Sequence, residues 1–434
     1  MSNLGCARNL VDGEIMAGAL TDAGFSLVEN PGTADIIVVN TCGFIESASE
    51  ESVGEILELA EFKKTGPCRR LIVTGCLPER YRKDLADSLP EVDMFLGTGA
   101  YDKLVGILTR PPDPGLCLLP PPDTPPLQRE NTPRIPSTTA MGYLKATEGC
   151  DRRCTYCIIP KLRGALRSRP VADIEMEARH LVAAGFRELV IIGQDTGSYG
   201  RDLGADVRLP GLLDALAKIS PDVWVRFLYG SPDTTDEALI RTMAKHDNIC
   251  PYFDIPIQHA SDSLLKRMGR PYDAADLRRV FDAIRNIIPE AALRTTVMVG
   301  FPGETDRDFD QLMQLITDVK FDHLGAFIYS DADDLPSHRL AGHVPKSAAQ
   351  ARYDAVMRLQ LEIAADRNTA HIGRTYPVLV EEQLEPRLFA GRTQFQAPEV
   401  DGIVYIDAAQ AIVGKLATVR ITDALEYDLR GEAL

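Results

Sequence analysis

Six of the nine cysteines are the residues whose type and spacing best suit chemistry. Three lie in Cys150-Asp-Arg-Arg-Cys154-Thr-Tyr-Cys157, directly after the strand-like run YLKAT (143–147). A loop this short gathers three thiolates at little closure entropy. Three thiolates can hold three irons of a 4Fe–4S cluster and leave the fourth iron open to a small molecule. Two other uses stay open: a redox pair formed by Cys154 and Cys157, or a zinc site completed by a histidine. The nearest histidine, His180, falls on a predicted helix well outside the loop, and redox pairs favour a helix start in a thioredoxin-like setting. Cluster binding therefore ranks first.

The second trio is dispersed. Cys6 follows Leu4-Gly5, Cys42 ends IIVVNT, and Cys76 ends LIVTG, so each stands at the carboxyl end of a predicted strand. In a parallel sheet those ends open on one edge, where open α/β folds bind ligands. Thiols are often simply buried, which would explain one or two such positions but not the same placement three times. Cys68, Cys117 and Cys250 lack such partners and are read as packing residues. Two clusters with three protein ligands each are predicted. An odd cysteine count in a large cytosolic chain also disfavours structural disulfides.

The elements that must position these thiols follow from hydrophobic periodicity. Residues 1–110 read as an N-terminal parallel α/β sheet domain, with buried strands IIVVN (36–40) and LIVTG (71–75) around a helix from about 48 to 64. Residues 111–136 carry ten of the 29 prolines without periodicity and are expected to form a Pro-rich linker. Six runs follow at 143–147, 188–193, 223–230, 252–257, 293–300 and 323–330, most of them separated by helical stretches. They predict a central partial (β/α)6 barrel over 137–370, closed by a helix at 346–370, with its chemistry at the carboxyl ends of the strands. Over 371–434 the runs VLVEE, LFAGRT, IVYID and KLATVRIT predict a small β-barrel.

With 434 residues, 45% hydrophobic and 25% charged, the composition is that of a globular chain and not of a disordered or fibrous one. No apolar run is long enough for a bilayer and the start lacks a secretory profile, so a cytoplasmic location without membrane contact is expected. The formal charge of -16 repels polyanions and favours a basic partner. Walker-type and GxGxxG loops are absent, which argues against nucleotide hydrolysis and dinucleotide-dependent dehydrogenation.

The ordered set LGCARNLVDGE (4–14), NTCGFIESA (40–48), VTGCLPER (73–80), EGCDRRCTYCIIP (148–160), IIGQDT (191–196), DIPIQHA (254–260) and VGFPGET (299–305) resembles the methylthiotransferases of the radical S-adenosylmethionine superfamily. The similarity spans nearly the whole chain, and the terminal barrel looks like a TRAM domain. NLVD, NTCGFI, CIIP and DIPIQH resemble the branch that modifies an aspartate of small-subunit ribosomal protein twelve more than the branch that modifies tRNA. Charge argues the same way: from Gly373 onward ten acidic residues oppose six basic ones, which suits a basic ribosomal protein better than an RNA backbone. The resemblance also implies apolar residues ahead of Leu4. Only Met1, Ser2 and Asn3 stand there, so either the given start is too late or the strand holding Cys6 is short.

The resemblance implies two 4Fe–4S clusters, on Cys6, Cys42 and Cys76 and on Cys150, Cys154 and Cys157, with S-adenosylmethionine as cofactor and a flavodoxin or ferredoxin as electron donor. The cluster on Cys150, Cys154 and Cys157 would yield a radical that takes hydrogen from the aspartate β-carbon, and the cluster on Cys6, Cys42 and Cys76 would deliver methylthio. A C–H bond of that kind is beyond general-base chemistry. Tyr156, Gln194, Asp195, Arg294, Gly300 and Gly303 are the expected cofactor contacts, each with a structural alternative: packing, an ion pair or a turn. Asp254, Gln258 and His259 end another strand, and His259 is read as a hydrogen-bonding residue without chemical role. A tRNA adenosine methylthiotransferase is the rival enzyme, and a zinc-stabilised ribosome-binding scaffold is the rival of another class.

Overall fold

A computed structural model describes residues 1–111, 115–123 and 134–434. The chain divides into two compact units. One comprises Met1–Ser137, Lys145–Arg152 and Cys157–Arg169, and the other Thr138–Leu144, Arg153–Tyr156 and Pro170–Leu434.

The first unit is built on a five-stranded sheet in sequence order: β1 (Ser2–Asn3), β2 (Ile36–Thr41), β3 (Arg70–Gly75), β4 (Met94–Gly97) and β5 (Leu116–Leu118). All four pairings are parallel. β2 and β3 are buried along almost their whole length, as continuous apolar strands covered on both faces must be. Val39, Val73 and Phe95 pack on one side with Ile56, Leu59 and Leu77, and Val38, Ile72 and Leu96 pack on the other with Met16 and Leu20. β1 is two residues long. The helix expected near 48–64 runs as Glu46–Ala60 followed by the short turn Phe62–Thr65.

Within the stretch 111–136, expected as a Pro-rich linker without strand periodicity, Leu116–Leu118 adds to the sheet edge beside β4. Three residues are too few to show periodicity among so many prolines. Residues 112–114 and 124–133 of that stretch lie outside the described residues. The unit also holds β7 (Thr147–Glu148), antiparallel to β8 (Arg167–Ser168), on the two flanks of the CxxxCxxC loop.

The second unit contains the barrel wall: β6 (Met141–Lys145), β9 (Glu188–Ile192), β10 (Trp224–Phe227), β11 (Tyr252–Asp254), β12 (Ala292–Val299) and β13 (His323–Ile328). They form two three-stranded sheets, β6-β9-β10 and β11-β12-β13, joined through a parallel bridge between Val225 and Ile249. All six predicted strands are present. Helices Ala274–Ile287 and Asp306–Val319 start from capping boxes on Asp273 and Thr305, which satisfy amides that a helix start leaves open. The 24-residue helix Lys346–Thr369 follows β13.

The final segment closes into a five-stranded barrel with ring order β14 (Thr375–Glu385), β15 (Leu388–Arg392), β16 (Val404–Asp407), β18 (Leu429–Ala433), β17 (Leu416–Ala424). Val378, Phe389, Ile406, Val419 and Leu429 fill it. Four strands were visible as runs; the fifth, LRGEA, alternates too weakly to stand out, and it inserts parallel to β16. Among the described residues no helix is long and apolar enough to cross a membrane.

Candidate functional site

Cys6, Cys42 and Cys76 are held at the carboxyl edge of the five-stranded sheet by interlocking glycines. Cys6 caps the helix Ala7–Asp22, Cys42 follows β2, and Cys76 opens the helix Cys76–Ser88. A Cβ on Gly5 would lie 2.8 Å from the Cys42 Cβ, and one on Gly43 would lie 2.9 Å from the Leu77 Cα and 3.2 Å from the Cys76 carbonyl carbon. Gly75, at φ +98°, would crowd the Thr41 carbonyl at 2.6 Å. Each cysteine has a glycine as its chain neighbour, and each glycine admits the backbone of another strand end. Ser52 secures the Cys42 turn from both sides, accepting from its amide at 3.1 Å and donating to its carbonyl at 2.9 Å.

The three thiols share one electrostatic field. Burial would raise the Cys6 thiol, but the guanidinium groups of Arg8 and Arg163 outweigh it and leave its pKa below the ordinary value. For Cys42 burial prevails over the amides of Phe44 and Gly43, and Cys6 adds to the rise. Cys76 is pushed up to about 11 by burial, against the pull of Arg163, with Cys6 and Cys42 contributing. Two of the three also stand at helix starts, where the peptide dipoles favour thiolate.

Beneath this edge lies a buried ion network that periodicity and motif spacing did not reveal. Arg163 donates to Asp12 at 2.5 Å, to Asn9 Oδ1 at 3.0 Å and to Cys76 Sγ at 3.4 Å. Lys145 bonds both Asp12 and Glu148, the latter at 2.9 Å. Arg163 and Lys145 are each 3% exposed, so these charges depend on one another.

On the CxxxCxxC loop, the Cys150 amide donates to the Gly164 carbonyl at 3.1 Å, and Leu166 donates its amide to Asp151. In the second unit Thr155 is fixed by its amide to the Met268 carbonyl and by its hydroxyl to the Arg267 carbonyl. Cys154 Sγ accepts from Arg270 at 3.1 Å, and Arg270 also stacks on the Tyr272 ring. None of the nine cysteines forms a disulfide, and among the described residues no three His, Cys, Asp or Glu side chains stand in closed metal-binding geometry. Cys6, Cys42 and Cys76 still fit an iron–sulfur group in composition and placement: three soft donors at one sheet edge whose charges act on one another, with Arg8 and Arg163 at hand.

The expected cofactor contacts divide. Tyr156 packs edge-to-face on Phe301 at 6.4 Å and joins the cluster of Leu264 and Met268. Asp195 is buried and accepts from the Ser198 hydroxyl at 2.7 Å, and Gln194, half-buried, follows the end of β9. Arg294 is already engaged: its fork bonds Asp254 at 2.9 Å and Asp401 at 3.3 Å, the structural alternative named for it. Gly300 faces Ala349, whose Cβ stands 2.6 Å from where its own would be, and Gly303 faces the Arg267 guanidinium at 2.7 Å. Both glycines make room for protein. His259 is fully buried, accepts from the Ser261 amide at 3.0 Å and lies 3.5 Å from Glu304.

Residues 144–316 match the radical SAM superfamily, 1–97 the uncharacterized protein family UPF0004, and 372–434 the TRAM domain. The "Ribosomal protein uS12 methylthiotransferase RimO" of Desulfosudis oleivorans is 54% identical over 100% of this chain and 99% of its own length. That of Clostridioides difficile is 47% identical over 100% and 98%. The chain belongs to the uS12 methylthiotransferase family. As such it is a radical SAM methylthiotransferase, and its second unit carries the corresponding fold. The radical S-adenosylmethionine methyltransferase TsrM from Kitasatospora setae, solved with cobalamin and a [4Fe–4S] cluster, superposes with TM-score 0.57 at 15% identity, over 77% of this chain and 74% of that one. This likeness concerns the fold alone. In a uS12 methylthiotransferase the six cysteines and the surrounding motifs are readable from sequence, whereas Asn9, Asp12, Lys145, Glu148, Arg163 and Arg270 emerge only from the folded chain.

Proposed function

We propose that Cys150, Cys154 and Cys157 hold one 4Fe–4S cluster, that Cys6, Cys42 and Cys76 hold a second, and that the enzyme transfers methylthio to the β-carbon of an aspartate of ribosomal protein uS12. The observation that carries this reading is the glycine interlock that gathers Cys6, Cys42 and Cys76 on one sheet edge. When bound, a cluster with one open iron supplies, with S-adenosylmethionine, a radical able to activate an aliphatic C–H bond, and its companion supplies the sulfur.

The chain's own residues make such groups tenable. Arg8 and Arg163 lower the cost of thiolates at the sheet edge, and Arg270 donates a hydrogen bond to the Cys154 sulfur. Tyr156, Gln194 and Asp195 remain the proposed contacts for S-adenosylmethionine; Gly300 and Gly303 would serve only through backbone groups, and Arg294 through whatever its two carboxylates leave free. Functional divisions at 1–110, 137–370 and 371–434, an external flavodoxin or ferredoxin and a cytoplasmic location complete the proposal. An acidic terminal barrel supports a basic protein substrate over tRNA.

Anaerobic reconstitution, followed by weighing uS12 and tRNA after separate incubations with S-adenosylmethionine and reductant, tests the substrate. A mass gain on uS12 alone is expected, and a gain on tRNA alone would overturn it. Iron and sulfide counts on wild type and Cys6→Ala test the clusters: about eight irons falling to about four supports the assignment, and zinc in their place would refute it.

A further inference from the structure

Arg163 stands apart from the other charged residues because of what it joins. It ends the helix Ile159–Arg163, which begins two residues beyond Cys157. Its guanidinium reaches Cys76 Sγ at 3.4 Å, Asn9 at 3.0 Å and Asp12 at 2.5 Å, and Asn9 and Asp12 lie in the first turns of the helix that Cys6 caps. Its chain neighbour Gly164 accepts the Cys150 amide at 3.1 Å, and Thr98 holds the Leu162 carbonyl at 2.6 Å. All of these residues lie within the first unit. One buried side chain therefore links the flank of the CxxxCxxC loop to a thiol of the other trio.

From this placement we infer that Arg163 is a positioning residue that sets the reduction potential of the group held by Cys6, Cys42 and Cys76 and ties Cys76 to the CxxxCxxC loop. The inference rests on the assignment of that trio to a cluster. A fixed positive charge at a buried thiolate stabilises the more negative, reduced form, and a buried carboxylate opposes it. Asp12 and Arg163 act on the same site with opposite sign, because Asp12 partly neutralises the guanidinium that touches Cys76. Lys145 pins Asp12 from the other side, so Asp12 cannot swing away.

The experiment is an EPR-monitored redox titration of the reconstituted full chain as wild type, Arg163→Gln, Arg163→Lys and Asp12→Asn, with iron counted in each. With two clusters retained, Arg163→Gln is expected to shift the potential of the cluster on Cys6, Cys42 and Cys76 to more negative values, Arg163→Lys to restore most of it, and Asp12→Asn to shift it to more positive values. Unchanged potentials, or Gln and Asn variants that shift in the same direction, would overturn the inference. If Arg163→Gln does not fold or load, the sign of the Asp12→Asn shift decides alone. The cluster assignment fails separately, by a wild-type count near four irons.

Discussion

A Cβ placed on Gly43 would stand 2.9 Å from the Leu77 Cα, closer than any side chain can sit without moving the helix that starts at Cys76. Gly43→Ala is therefore expected to push Cys76 away from Cys42 and to cost about 1–3 kcal/mol, the usual range for overpacking. Thermal unfolding of the metal-free chain would show the loss. Iron counting would show the cluster on this trio lost and the other kept. Full retention of both clusters and of stability would disprove the interlock.

Arg270 is the cation at Cys154, donating to its sulfur at 3.1 Å. A hydrogen bond to a charged partner is worth about 1.5–3 kcal/mol, so Arg270→Met is expected to weaken cluster retention on the CxxxCxxC loop roughly ten- to hundredfold. Timed chelator challenge of the reconstituted enzyme reads this directly. Iron should leave this loop faster than in wild type, while the Cys6, Cys42 and Cys76 trio is unaffected.

Arg294 distinguishes a structural from a cofactor role. It bridges Asp254 and Asp401, two carboxylates that are 2% and 1% exposed, so Arg294→Met takes the guanidinium from both, leaving Asp254 the Tyr229 amide and Asp401 the Tyr252 hydroxyl and the Ala397 amide, at a cost of about 3 kcal/mol. The melting temperature should fall while equilibrium binding of S-adenosylmethionine to the folded variant stays within a few-fold of wild type. A selective loss of cofactor binding at unchanged stability would return Arg294 to the cofactor site.

Glu188 on β9 is clasped by Arg226 on β10 and Arg392 on β15, each at 2.6 Å. Burial alone would raise its pKa, but the two guanidinium groups prevail and hold it below the ordinary carboxylate value. A depressed folded-state pKa contributes stability that is complete above the unfolded value, about 4.3, and lost as pH falls through the lower folded value. Glu188→Gln should destabilise the protein by about 3–5 kcal/mol at pH 7 and flatten its stability profile below about pH 4. Denaturant midpoints across pH 3–7 check both.

Much of this architecture could be read in advance, and the exceptions share a cause. The six barrel strands and the strands that lead to Cys42 and Cys76 were visible because continuous apolar runs such as ELVII are buried along their full length. The cysteines were visible because thiols at strand ends are rare and the CxxxCxxC spacing is local. Arg163 and Asp12 are 151 residues apart, and nothing in either segment marks the other as its partner. β5 hid among prolines, and β18 hid because its glycine and charges blur the alternation. Arg294 looked available because a lone arginine on a strand gives no sign of two carboxylates arriving from Asp254 and from the terminal barrel.

The ring order of that barrel governs when it can form during synthesis. β18, made after the other four strands of the barrel, slots between β16 and β17, so those two lack a neighbour at the seam until it leaves the ribosome. Leu429, part of the apolar plug, arrives with it. Vectorial synthesis thus leaves this barrel unzipped until its fifth strand is made, and its closure waits on that one segment.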